Sequence, residues 1–209
     1  MFAHLVSLVV PPACVACRAR AGPERALCPS CRAGLRWLGA APVTLGRLDV
    51  WAPLAYDGGA RAMVGALKYR GALGLAGPMA AAMAANARPG LFSAPLVPVP
   101  LGPGRRRSRG FNQAEVLARE LAARTGLAVE DVLVRSGPRG PQVGRGRGER
   151  LAGLDPAIAL RAGAAAPGAA ILVDDVVTTG ATLAACARAL RAGGCGPVRG
   201  VTYARTLGR

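Results

Sequence analysis

A chain of 209 residues, 52% of them apolar, can bury one hydrophobic core and leaves room only for a small accessory module beside it. Its formal net charge of +16 favours a polyanionic partner, because clustered positive charge concentrates phosphates near the surface. Every basic residue except Lys68 is an arginine, and Ala, Gly and Pro are abundant, as a GC-rich genome would produce. Composition alone therefore does not establish nucleic-acid binding.

No segment has the length and polarity of a membrane span or an export signal. Residues 1–10 are mostly apolar, but they lack a basic leader and soon meet Pro11 and Pro12, so we expect a short packing helix. Residues 71–87 carry no charge but are interrupted by Pro78 and are shorter than a span of about 20 residues. We therefore expect no transmembrane segment, a cytoplasmic location and reduced cysteines.

Four of the six cysteines form two Cys-x-x-Cys pairs separated by ten residues. Two such pairs supply the four thiolates of a tetrahedral Zn²⁺ site, with no position left open for water or substrate. The spacing thus predicts a structural zinc in a module over residues 1–40, held by Cys14, Cys17, Cys28 and Cys31. Redox-active pairs or a metal-free loop are the alternatives. Cys186 and Cys195 are expected to be ordinary thiols.

Strands alternate with helices in the rest of the chain. Strands are predicted at residues 49–56, 96–99, 131–134, 157–160, 169–174 and 198–204, and helices at residues 59–69, 73–87, 111–124 and 180–192. Residues 136–148 are predicted to be loop, and Tyr56, Tyr69 and Phe111 are expected in the core. The alternation indicates an α/β domain over residues 45–209, with a mostly parallel sheet and helices on both faces.

Residues 171–182 carry the strongest chemical signal. Asp174 and Asp175 stand where the predicted strand ends, which in open α/β sheets faces a ligand crevice. A hydroxyl-rich turn follows and leads into a helix, so that free N–H groups, hydroxyls and the helix dipole converge on an anion. This turn consists of Thr178, Thr179, Gly180, Ala181 and Thr182. The alternative is an ordinary strand-turn-helix in which Asp and Thr only cap the helix.

The segment resembles the phosphoribosyl-pyrophosphate signature of type I phosphoribosyltransferases. The resemblance implies that Asp174 and Asp175 contact the ribose hydroxyls of 5-phosphoribosyl 1-pyrophosphate, and that residues 178–182 wrap its 5-phosphate. It also implies Mg²⁺ bound with the substrate, and displacement of pyrophosphate from the anomeric carbon by a nucleophile. Positive groups near the leaving group and a lid against water would assist that reaction.

Two basic segments could supply this positive charge. The first is expected to be a flexible loop after the strand at 96–99, and it offers Arg105, Arg107 and Arg109 to a pyrophosphate or another polyanion. Lys68, near a predicted helix end, is a further candidate. The second segment, between residues 135 and 150, has the composition of a mobile lid. For each segment the alternative is a solvated run of charge.

Several short motifs in a specific order extend the resemblance over nearly the whole chain. Besides the cysteine pairs and the final signature, they are Ala55-Tyr56-Asp57-Gly58, Leu67-Lys68-Tyr69-Arg70-Gly71, Val97-Pro98-Val99-Pro100, Arg109-Gly110-Phe111-Asn112-Gln113, and Pro141-Gln142 with Arg150. The chain thus resembles the ComF (ComFC-like) family, bacterial proteins associated with DNA uptake in competence. The resemblance implies a phosphoribosyltransferase domain behind a Cys₄ finger, and competence helicase machinery as a candidate partner.

Three functions remain open from the sequence. The first is a phosphoribosyltransferase-like enzyme working in DNA uptake or nucleotide salvage. The second is a non-catalytic competence factor that binds single-stranded DNA through the arginine-rich segments, for which charge is evident but stacking is not. The third is a regulator that senses the sugar pyrophosphate, which would normally need a helix-turn-helix that the sequence does not show.

Overall fold

A computed structural model describes residues 13–22, 26–135 and 158–208 of the protein. The helices in these ranges are α1 (Pro29–Ala33), α2 (Gly58–Arg70), α3 (Ala76–Asn86), α4 (Pro103–Arg109), α5 (Gln113–Thr125) and α6 (Ala181–Ala192), with a 3₁₀ turn at Leu73–Leu75. The strands are β1 (Val43–Leu45), β2 (Leu48–Trp51), β3 (Leu54–Ala55), β4 (Leu96–Pro98), β5 (Leu133–Arg135), β6 (Ile158–Leu160), β7 (Ala170–Val177) and β8 (Val198–Arg205).

The main sheet is mostly parallel. Five of its six strands follow the order β1-β2-β8-β7-β4, and β3 pairs with β8 beyond the end of β2. Only β1 runs antiparallel, as the first strand of a hairpin with β2. Strands β5 and β6 form a separate antiparallel pair. Because β4 and β7 are parallel neighbours, the segments that follow them leave the sheet at the same edge.

The sheet has a hydrophobic core on each face. Ile171 and Val173 of β7 belong to one core, whereas Ala170 and Leu172 belong to the other, as expected where successive strand residues point to opposite faces. The first core contains most of the buried residues of α2, α3 and α5. The second contains the buried residues of α6. The fold is therefore α/β with helices on both faces, as the sequence predicted.

The cysteine-rich segment joins the first core directly. Its buried residues Cys14, Leu27 and Cys28 belong to the same apolar cluster as α2. The contact is tight, because a Cβ added at Gly59 would lie 3.0 Å from Leu27 Cδ1 and 3.1 Å from the carbonyl oxygen of Cys31. The N-terminal segment thus packs on the first turn of α2.

Three predicted elements need correction. The strand predicted at 49–56 is interrupted between Trp51 and Leu54, where Pro53 lacks the N–H that a ladder requires. The basic segment predicted as a flexible loop is the helix α4, which ends at Gly110 with a φ of 78°. The strand predicted to stop at Asp174 extends through Val177, because its pairing with β8 extends to Arg205. The acidic pair therefore lies inside β7, not after it.

Some predictions fall on other parts of the chain. The packing helix at 1–10, the loop at 136–148 and all of the second basic segment except Arg135 lie outside the described residues. The boundaries 1–40 and 45–209 stay predictions. Among the helices of the described ranges, none combines the length and hydropathy needed to cross a bilayer.

Candidate functional site

The four N-terminal cysteines come together as the spacing predicted. The sulfur atoms of Cys14, Cys17, Cys28 and Cys31 all lie within 4.8 Å of one another. Cys17 Sγ and Cys28 Sγ are 3.6 Å apart. A tetrahedral ion with Zn–S bonds of about 2.3 Å holds its sulfurs roughly 3.8 Å apart, so the cluster has the dimensions of a zinc tetrathiolate.

Ionisation of the four clustered thiols requires a bound cation. Burial by itself would raise the pKa of Cys14, but backbone hydrogen bonds from Cys17, Cys28 and Ala16 lower it to about 6. Hydrogen bonds with the neighbouring sulfurs of Cys17 and Cys28 raise the pKa of Cys31 to about 12. Four adjacent sulfurs cannot all ionise without a compensating positive charge, and a bound Zn²⁺ supplies that charge.

Asp175 of the acidic pair lies on the α2 face of the sheet and forms a buried ion pair. The nitrogen Nζ of Lys68 lies 2.8 Å from Asp175 Oδ2, with side chains that are 19% and 1% exposed, respectively. The ammonium lies off the direction of a regular hydrogen bond, and Oδ2 has no hydrogen-bond partner elsewhere in the described residues. The ion pair is therefore what compensates the burial of this carboxylate.

Asp174 points to the other face, toward α6, and is partly exposed. Its Oδ1 accepts a hydrogen bond of 2.8 Å from the backbone N–H of Asp175. Desolvation raises the pKa of Asp174 well above its usual range, and the nearby charge of Asp175 raises it further, whereas Lys68 acts weakly in the opposite direction. Asp174 is thus the carboxyl group of the pair that is available to a ligand.

The hydroxyl-rich turn follows β7 at the edge of the sheet where β4 and β7 both end. Thr178 and Thr179 are exposed, and α6 begins after Gly180 without a side-chain cap, so the N–H groups of its first turn have no partner within the helix. Gly180 has a φ of 78°, and a Cβ there would lie 2.7 Å from Leu45 Cδ1. The β1–β2 hairpin therefore packs against this turn, and both the backbone angle and the contact require glycine.

A cationic cavity of about 570 Å³ adjoins the buried ion pair. Lys68, Arg105 and Arg109 contribute positive charge to its lining, and no acidic side chain takes part among the described residues. The rest of the lining comes from Tyr69, Gly71, Ser108, Phe111 and Gln113. Since Lys68 belongs to both features, the cavity and the acidic pair are neighbours.

The segment that joins α4 to α5 fixes the position of Arg109. Asn112 is buried and caps α5 by accepting from the N–H of Ala114, while its side-chain amide donates to the carbonyl oxygen of Val99 at 3.0 Å. Gln113 accepts a hydrogen bond of 2.9 Å from the Arg109 guanidinium. The Arg109 guanidinium carbon in turn lies 5.1 Å from the centre of the Tyr69 ring. These contacts give a structural role to each of Arg109, Asn112 and Gln113 in the sequence motif.

The structure separates some residues that the sequence had grouped. Lys68, Arg105 and Arg109 line the cavity, whereas Arg107 is exposed on α4 and does not. Tyr69, expected in the core, is 77% exposed. Tyr69 follows the inward-facing Lys68 in α2, and adjacent helical residues point about 100° apart. Cys186 and Cys195 are buried thiols, as expected.

Comparison with known proteins identifies one part of the chain. Residues 5–43 match the family described as double zinc ribbon domain. All four clustered cysteines fall in this range, which is enough for one tetrahedral site. The chain has no significant match among curated proteins. The N-terminal segment is thus a zinc-binding module similar to double zinc ribbons, with a structural Zn²⁺ site at these cysteines.

We predict that the protein binds one Zn²⁺ per chain. The double substitution Cys14→Ser/Cys28→Ser removes two of the four ligands and should abolish zinc binding. Two ligands cannot hold the ion against water, and the module depends on the metal for folding. Metal analysis of the purified protein measures the ratio, with Cys186→Ala as a control that retains zinc. Two ions per chain, or a full complement in the double variant, would contradict the assignment.

We also predict that Asp174→Asn stabilises the fold at neutral pH. Because the pKa of Asp174 is raised in the folded protein, the unfolded chain loses this proton more easily than the folded one. The free energy of unfolding therefore falls as the pH rises from the unfolded pKa of 3.8 to the folded pKa. The uncharged variant avoids this loss. Denaturant unfolding should give a higher midpoint for the variant at pH 7 and a smaller difference near pH 4. A less stable variant at pH 7 would contradict the raised pKa.

Proposed function

We propose that the protein binds 5-phosphoribosyl 1-pyrophosphate and acts as a phosphoribosyltransferase-like protein of the type I fold. The observation that carries the proposal is the arrangement along β7 and α6. It consists of a partly exposed carboxyl group at Asp174, exposed hydroxyls at Thr178 and Thr179, and N–H groups in the first turn of α6 that have no partner within the helix. Carboxylates accept hydrogen bonds from ribose hydroxyls, and helix N-termini bind phosphates. The two ends of this arrangement fit the two ends of a ribose 5-phosphate.

The cationic cavity supports the pyrophosphate end of the proposal. Lys68, Arg105 and Arg109 line it, and Lys68 reaches from there to Asp175. In the proposal Asp174 contacts the ribose hydroxyls, while Asp175 acts mainly by holding Lys68. The cations stabilise the charge that develops as pyrophosphate leaves the anomeric carbon. Mg²⁺ would accompany the substrate, bound to pyrophosphate and ribose oxygens.

A role in DNA uptake or nucleotide salvage follows in the proposal from the resemblance to the ComF family. Competence helicase machinery would be a partner in the first setting. The second candidate is the non-catalytic competence factor that binds single-stranded DNA. The exposed arginines of α4 favour it, because Arg105 and Arg107 are open to solvent on a helix with no buried residue.

Calorimetric titration of 5-phosphoribosyl 1-pyrophosphate with Mg²⁺ at moderate salt tests the proposal. We expect wild type to bind, and Asp174→Asn to lose at least about ten-fold in affinity. The ribose hydroxyls and the accompanying Mg²⁺ favour the ionised form of the Asp174 carboxyl group, and hydrogen bonds to a charged group contribute about 1.5–3 kcal/mol. Asp131→Asn is the matched control, because Asp131 is a 42% exposed acid at the other end of the sheet, next to the start of β4. It should bind like wild type.

The outcomes separate the candidates. Wild type that does not bind while its zinc site is loaded would contradict the proposal, and equal loss in both variants would point to net charge instead of a site. If binding is established, pyrophosphate release that depends on an added acceptor distinguishes an enzyme from a sensor. A protein that binds only single-stranded DNA, with a steep loss in salt and sensitivity to Arg105→Ala/Arg107→Ala, would favour the second candidate.

A further inference from the structure

Tyr69 is the most exposed of the large hydrophobic side chains in the described residues, at 77%. A tyrosine in the last turn of a helix gains little from such exposure, since its ring would contribute more to stability if it were buried. The ring nevertheless has one charged neighbour over its face. The Arg109 guanidinium stacks on it at 5.1 Å and is itself held by Gln113. Tyr69 and Arg109 together thus form a flat surface, which we call the shelf.

The shelf stands at the rim of the cationic cavity. Tyr69 and Arg109 both line the cavity, together with Lys68 and Arg105. Within the described residues, neither Arg105 nor Arg109 forms an ion pair with a carboxylate. A planar stacking surface and two arginines without a carboxylate partner in the described residues therefore line one opening. That combination matches a ligand with a flat heterocycle joined to a phosphate.

We propose that the shelf and cavity form a nucleotide-binding site, in which a nucleobase stacks on Tyr69 and the attached phosphate contacts Arg105 and Arg109. The site shares Arg105 and Arg109 with the proposed sugar-pyrophosphate site, but it requires neither Asp174 nor the turn at 178–182. Stacking on an aromatic ring is tolerant of sequence, because every base has a flat face. The shelf supplies the stacking element that charge alone does not.

The nucleotide could be free or part of a single strand, so the experiment uses one probe for each. AMP is titrated by calorimetry, and a fluorescently labelled single-stranded oligothymidylate of about ten nucleotides is followed by anisotropy. A matched oligomer of the same length with abasic sites keeps the phosphates and removes the bases. The variants are Tyr69→Ala, the ring-retaining Tyr69→Phe, and Leu73→Ala as a nearby exposed apolar control.

We expect Tyr69→Ala to bind about ten-fold or more weakly to at least one probe, with Tyr69→Phe and Leu73→Ala close to wild type. Wild type should bind the abasic oligomer about as weakly as Tyr69→Ala binds the normal one. Tyr69-dependent binding of AMP identifies a free nucleotide as sufficient, and Tyr69-dependent binding of the oligomer alone identifies a strand.

Three results would overturn the inference. They are no binding of either probe, equal binding of both probes by Tyr69→Ala and wild type, and equal binding of normal and abasic oligomers without Tyr69-dependent binding of AMP. The inference fails independently of the sugar-pyrophosphate proposal. Wild type that binds the sugar pyrophosphate but neither nucleotide probe would overturn this inference alone. Asp174→Asn should lose the sugar pyrophosphate and keep the nucleotide.

Discussion

The buried ion pair between Lys68 and Asp175 is the contact on which the arrangement of the site depends. It joins the C-terminal turn of α2 to the middle of β7, with Asp175 almost fully removed from solvent. Removing one partner of such a pair leaves an uncompensated buried charge and costs about 3–5 kcal/mol. The pair therefore fixes where the cationic cavity lies relative to the carboxyl group of Asp174 and the turn that follows it.

Helix α2 also connects this site to the zinc module. Its first turn packs against the cysteine-rich segment at Gly59, and its last turn carries Lys68 and Tyr69. The buried cysteines and the apolar side of α2 belong to a single hydrophobic core. A structural metal at these cysteines thus stabilises the helix that carries Lys68 to the proposed ligand site, although all four of its ligands are far from Lys68 in sequence.

The sequence predicted those features that are encoded locally. Cys-x-x-Cys spacing predicts a tetrathiolate, and alternating strands and helices predict a layered α/β fold, since both patterns arise from short-range geometry. The extension of β7 to Val177 could not be predicted in this way, because it depends on pairing with β8. Helix α4 has no buried face to produce a periodic pattern. The ion pair and the exposure of Tyr69 depend on how α2 is oriented against the sheet.

The central claim is that one ligand spans from the turn at 178–182 to the cavity beside Lys68. Hydrogen exchange read by mass spectrometry tests it most directly, with 5-phosphoribosyl 1-pyrophosphate and ribose 5-phosphate compared at saturation with Mg²⁺. The account predicts that both ligands slow exchange in residues 178–184, and that only the pyrophosphate also slows it in residues 103–110. Binding that leaves the amides of residues 178–184 exchanging at their free rate would contradict it.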